Sequence, residues 1–177
     1  MDDITNKKTE FFAALDGYNR TAVTKRLKRE LDVFFTPEWN LSVEYLSESS
    51  GLKITIIRLA AQTQSKYVFM INNNYPFTPP TLYFQDRPYM DFLRQSCKYA
   101  NSRKILKKVA GLECFCCSSM VCNSNWSPSI TFSKIIREVD YYKEKKHDVV
   151  NSLIAGVIKR KYLIADIDLD SWLYASP

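Results

Sequence analysis

Residues 75–84 read YPFTPPTLYF, and residues 126–131 read WSPSIT. Pro76, Pro79 and Pro80 carry no backbone N–H and hold φ in one narrow range, while each residue before a proline is pushed towards extended backbone. A sheet ladder must stop at this corner and the chain must turn stiffly before TLYF (81–84) resumes as a strand. Tyr75 and Phe77 are the side chains expected to pack the corner down. Working back, KYVFMI (66–71), LKITIIRL (52–59) and NLSVEYL (40–46) alternate apolar and polar residues, and SESSG (47–51) reads as a turn. Four sequential strands with short links predict an antiparallel meander.

Before the meander, Val23, Leu27, Leu31 and Phe34 recur at helical spacing, with Lys25, Arg26, Lys28 and Arg29 on other faces. An amphipathic helix from Thr21, ended before Pro37, follows. Residues 1–20 read as a leader, loose or partly helical, and 21–177 as a single domain. After the meander, RPYMDFLRQS and SRKILKKVAG suggest short helices within an enlarged 85–113 excursion, the second closing at Gly111. WSPSITFSKIIREV opens another helix, capped by Ser127 or Ser129, with Phe132, Ile135, Ile136 and Val139 as its apolar stripe. A further helix is expected from Val150, Leu153, Ile154, Val157 and Ile158, and DIDLDSWLYASP ends in an apolar anchor at Trp172. The fold class is α+β, with an N-terminal helix, a four-stranded antiparallel meander and C-terminal helices.

The 177 residues are 46% hydrophobic and 25% charged, the balance of one ordinary globular domain. No apolar run is long enough to span a membrane, and the polar start MDDITNKKTE has no hydrophobic signal region, so the cytoplasm or nucleus is the expected compartment. The net charge of +6 is spread over KRLKRE (25–30), SRKILKK (102–108), KEKKHD (143–148) and KRK (159–161). Acids at helical spacing among them mark solvated faces, and no nucleic-acid-binding signature accompanies them, so a nucleic-acid partner is not expected. With only four glycines and no phosphate-binding loop, nucleotide chemistry is not expected either, and no cofactor is assigned.

Five cysteines, four of them in ECFCCSSMVC (113–122), are an odd number in a chain read as intracellular. Thiol chemistry, metal binding or burial then explain them better than a disulfide framework. Cys114, Cys116, Cys117 and Cys122 offer four sulfurs in nine residues, but adjacent Cys116 and Cys117 match poorly the two spaced pairs of structural zinc sites, and no metal site is assigned. Cys97 and Cys122 read as packing. The single histidine, His147, lies in a lysine-rich stretch and is expected to face solvent.

Taken together, KRLKREL (25–31), YVFMINNNYPFTPPTLYF (67–84) and CSSMVCNSNWSPSITFSKII (117–136) resemble the ubiquitin-conjugating enzyme family across most of residues 21–140. The resemblance implies that a cysteine just upstream of the tryptophan accepts ubiquitin, or a ubiquitin-like protein, as a thioester and passes it to a lysine amine. A thiolate is a good nucleophile, and its thioester stays reactive towards amines. Cys117, nine residues before Trp126 and followed by SSMV, fits the family segment best, with Cys116 and Cys114 as alternatives. The family's His-Pro-Asn triplet is absent; Tyr99-Ala100-Asn101 stands nearest, so Asn101 either stabilises the oxyanion or caps the helix that follows it. AAQTQSK (60–66) replaces the family's glycine-rich turn, and the C-terminal helices do not match at residue level. These departures resemble those of divergent viral members, which act in the host cell. Implied partners are ubiquitin, its activating enzyme, drawn to Lys25, Arg26, Lys28 and Arg29, and a ubiquitin ligase. The alternative is an inactive module of the same fold, which binds or scaffolds and holds zinc in its cysteine cluster.

Overall fold

A computed structural model describes residues 2–18, 21–46, 51–61, 63–95 and 100–162. The elements run α1 (Asp2–Asp16), α2 (Thr21–Leu31), a 3-10 turn (Asp32–Phe34), β1 (Trp39–Leu46), β2 (Gly51–Leu59), β3 (Gln64–Ile71), β4 (Thr81–Phe84), β5 (Arg87–Pro88), α3 (Tyr89–Gln95), α4 (Ala100–Ala110), α5 (Phe115–Ser118) and α6 (Phe132–Tyr162). The architecture is α+β. The strands form one antiparallel sheet in the order β1-β2-β3-β4-β5.

The period-2 pattern sets the sheet's inner face. Leu52, Ile54 and Ile56 of β2, Tyr67, Phe69 and Ile71 of β3, and Leu82 and Phe84 of β4 are all buried. Register stacks them as rows, with Val43 opposite Ile54, Ile54 opposite Phe69, and Phe69 opposite Leu82. Phe132 of α6 meets Phe69 edge-on at a centroid distance of 4.5 Å. Arg58 of β2 donates from both terminal nitrogens to Asp140 of α6 at 2.8 Å, and the Tyr67 hydroxyl joins the same carboxylate at 3.2 Å. This fork fixes how α6 lies across the sheet.

Several features differ from the sequence reading. A fifth strand, β5, pairs with β4 through a turn in which Gln85 and Asp86 both take positive φ, at 51° and 60°. Such turns favour asparagine or glycine; here side chains support it instead, with Gln85 donating to the Gln64 carbonyl at 2.8 Å and Asp86 paired to Lys66 at 2.7 Å. The segment read as a leader forms helix α1 and places Phe11, Leu15 and Tyr18 in the core. Phe77 does not pack the corner: Tyr75 is 3% exposed and Phe77 81%. Only Tyr75 has aromatic neighbours inside, stacked on Phe132 and tilted against Trp126, each at 6.3 Å.

A further difference is that the two C-terminal helices are one, the 31-residue α6. At about 1.5 Å per residue it is roughly 46 Å long, whereas a strand of eight residues spans about 27 Å. It is therefore longer than any strand of the sheet. Val149 and Ala155 still turn inwards, but Val150, Ile154 and Val157 of the expected stripe are exposed. Neither Ser127 nor Ser129 caps α6; Thr131 does, its Oγ1 accepting from the Lys134 N–H at 3.4 Å, while the two serines bond each other at 3.0 Å. Helix α4 closes at Gly111, as its spacing predicts, with φ +67° and its N–H donating to the Lys107 carbonyl. No described helix is long and apolar enough to cross a membrane. Trp172 lies outside the described residues.

Candidate functional site: a thiol cluster on a pinned strap

Between Gly111 and α6 the chain forms a strap that carries four cysteines. Its floor is Phe115, fully buried against Tyr142 of α6 at 4.7 Å. Ser119 is also fully buried. Its hydroxyl donates to Oε1 of Glu138 at 2.6 Å, the Met120 N–H donates to Oε2 at 2.6 Å, and the Tyr89 hydroxyl reaches Oε1 at 3.2 Å. Burial raises the Glu138 carboxyl above its ordinary value, while these donors pull it back down. At the far end of the strap, Asn125 donates to the carbonyls of Cys117 at 2.7 Å and Ser119 at 3.0 Å. Trp126 then locks the strap to the proline corner, its indole N–H donating to the Pro76 carbonyl at 2.8 Å.

A second buried carboxylate completes the frame. Glu30 of α2 accepts the Phe132 N–H at the start of α6 at 3.2 Å and the Tyr75 hydroxyl at 3.4 Å, and pairs with Arg26 at 2.6 Å. Burial raises its pKa against the lowering effect of Arg26. Arg26 also donates to the Ile130 carbonyl at 3.1 Å and lies over the Tyr75 ring. The carboxylate at the first turn of α6 is where the helix dipole favours negative charge.

This frame holds the thiols at the surface. Cys117 is exposed, and Cys114 and Cys116 are half-buried. The three sulfurs all lie within 4.8 Å of one another, Cys116 and Cys117 being 3.9 Å apart. Burial, and then the neighbouring thiols, push Cys116 up to about 12. Cys117 is raised chiefly by its hydrogen bond with Cys114. Cys122 is not core packing: it is half-buried, its sulfur lies 3.2 Å from the Ser124 hydroxyl, and hydrogen bonds from Ser124 lower its pKa. At neutral pH, limiting alkylation is therefore expected to label Cys122 before Cys116 or Cys117, because the thiolate is the reactive form. Peptide mass spectrometry reads the order; Cys116 labelled first would reverse it.

The other expected site residues are distributed as follows. Asn101 sits in the first turn of α4, its side chain outside the described residues, as are Tyr99 and Cys97. Of the basic set on α2, Arg26 is structural and Lys28 is paired with Asp16 at 2.6 Å, whereas Lys25 and Arg29 are exposed. His147 is exposed, 3.2 Å from the Asn151 amide. A cleft of about 410 Å³ opens beside Cys114 and is lined by Arg103, Lys104, Lys107 and Glu113. A second cleft, of about 680 Å³, lies between α1 and β1 and holds Phe11, Phe35 and Trp39 but no thiol.

Glu138 and Asn125, the groups that place the thiols, are the residues the sequence reading missed. Glu138 had a signal: three residues after Ile135 and four before Tyr142, it is an acid on the buried face of its helix. Asn125 had none, because its partners are backbone carbonyls. No family model matches the chain, and no curated protein or solved structure matches it.

Proposed function

We propose that this chain is an acyl carrier of the ubiquitin-conjugating type, with Cys117 as its acceptor. The observation that carries the reading is the exposure of the Cys117 thiol on a strap held before it by buried Phe115 and after it by the Met120–Glu138 and Trp126–Pro76 hydrogen bonds. An acceptor must reach a donor protein's active thioester, and later an incoming lysine, without moving the fold. The arrangement is compatible with the family segment order: proline corner, cysteine segment and tryptophan come together through the Trp126–Pro76 hydrogen bond.

In the reaction, the Cys117 thiolate attacks the carbonyl carbon of the ubiquitin thioester held by the activating enzyme. A new C–S bond forms and the activating enzyme's thiolate leaves. A neutral lysine amine then attacks the same carbonyl, giving an isopeptide bond and returning Cys117 as a thiolate. The amine's surplus proton passes to solvent or base. Both amide hydrogens of Asn125 point at the carbonyls of the strap, so its role is positioning. Asn101 remains the proposed oxyanion donor. The exposed Lys25 and Arg29 offer a positive face for the activating enzyme, and a ligase is the implied third partner.

The test is charging of the reduced full chain with ubiquitin, activating enzyme and ATP. A single-ubiquitin adduct that a thiol reductant cleaves is expected; no adduct at any pH overturns the reading. The absence of a His-Pro-Asn triplet favours a second reading, a module that binds ubiquitin without charging, and ubiquitin binding in the absence of adduct would select it.

A further inference from the structure

Cys114, Cys116 and Cys117 form a group that an acceptor thiol does not need. Their sulfurs lie within 4.8 Å of one another, those of Cys116 and Cys117 at 3.9 Å. Metal–thiolate bonds of about 2.3 Å, between tetrahedral and trigonal angles, place sulfurs about 3.8–4.0 Å apart. The group is thus already near the spacing that a single ion imposes, and rotation of the side chains closes the remainder.

The backbone explains the convergence. Cys114 is extended, at φ −156° and ψ 128°, and the single helical turn of α5 follows it at once. The turn brings positions 114 and 117 to one side, with 116 beside them. Adjacent cysteines, which counted against a metal in the sequence, are here part of the cluster. Buried Phe115 and the Glu138 contacts hold the turn still.

Ligand type narrows the ion. Sulfur alone suits soft cations and excludes calcium or magnesium, which need oxygen. Charge is compensated too: three thiolates around a mono- or dication leave a net negative complex. The adjoining cleft presents Arg103, Lys104 and Lys107, with Glu113 bonded to Lys107 at 3.1 Å. Cys122, bonded to Ser124, is not in the group.

We propose that Cys114, Cys116 and Cys117 make a three-sulfur site for a soft d10 cation, Cu+ or Zn2+, open to solvent on the Cys117 side. On binding, three metal–sulfur bonds form and the thiol protons are released to solvent. The binding test reads the metal directly, so it stands whether or not Cys117 accepts an acyl group.

The reduced, chelator-treated full chain is titrated with Zn2+ against a chromophoric chelator, and with Cu+ against bicinchoninate under nitrogen. One equivalent is expected to bind in at least one arm, and the arms identify the ion. Cys114→Ser and Cys116→Ser should each weaken binding more than about 100-fold, beyond the effect of losing an outer-shell group; Cys122→Ser should leave it unchanged. Circular dichroism checks that each variant folds. On the unmodified protein, the bound ion should protect Cys114, Cys116 and Cys117 from alkylation and leave Cys122 reactive. Less than stoichiometric metal in both arms overturns the proposal. So does binding that survives the Cys114→Ser/Cys116→Ser double variant, or that needs Cys122.

Discussion

Cys117→Ser is expected to abolish the reductant-labile ubiquitin adduct, while Cys122→Ser keeps it. The Cys117 sulfur is the exposed member of its cluster, and serine cannot form a thioester. Its neighbour supplies a graded control. Hydrogen bonding to Cys114 is the largest effect raising the Cys117 pKa. In metal-free buffer, Cys114→Ala should lower that pKa, enlarge the thiolate fraction at neutral pH and move the pH–rate profile of charging to lower pH. Charging measured by non-reducing electrophoresis across pH reads both. An adduct that persists in Cys117→Ser and disappears in Cys116→Ser or Cys114→Ser reassigns the acceptor to that residue.

Glu138→Ala is the substitution expected to damage the fold most, although Glu138 is polar. It leaves the Ser119 hydroxyl, the Met120 N–H and the Tyr89 hydroxyl buried without their acceptor. At about 1–3 kcal/mol for each stranded group, and with partial relief by water, the loss is on the order of 4 kcal/mol. In a domain of this size that lowers Tm by about 10 °C. Thermal unfolding followed by circular dichroism measures it; a drop under about 3 °C would show that water or repacking replaces the carboxylate. Glu138→Gln keeps one acceptor oxygen for the Met120 N–H, and the Ser119 and Tyr89 hydroxyls can turn to accept from its amide, so it should cost less than alanine.

The same carboxyl makes stability depend on pH with the sign opposite to a salt-bridged acid. Burial raises Glu138 and Glu30 above their ordinary value of 4.5. The folded chain then binds protons more readily than the unfolded chain in the window just above that value. The contribution of these groups is complete below the unfolded pKa and is lost as pH rises through the folded one. The Tm advantage of the wild-type protein over Glu138→Gln should therefore be larger at about pH 5 than at about pH 7.5. An advantage that grows with pH would mean that the strap's donors outweigh burial.

Where periodicity carried the information, the elements followed it. Strands β1 to β4 and helices α3 and α4 lie within a residue or two of their patterns, and α2 stops at Leu31 with a 3-10 turn carrying the chain to Phe34, because each element buries one face and alternation or helical spacing records that face locally. Strand β5 was hidden, since its turn lacks the glycine or asparagine that announces positive φ and one of its two residues is Pro88. Helix α1 was legible only in part, as a leader read as loose or partly helical. Its weak apolar period gains a face only once Phe11 and Leu15 meet the rest of the core.

The thiols divide in the same way. The chain alone concentrated cysteine before Trp126 and put the proline corner upstream, both facts of order. Which sulfur faces solvent, and that Glu138 and Asn125 hold the strap that carries the thiols, depend on contacts 6 to 49 residues apart along the chain. Local sequence records what a residue does to its own backbone. The partner of a buried carboxylate exists only after α6 has docked on the sheet, because that docking first removes the water that would otherwise serve the carboxylate and its donors equally.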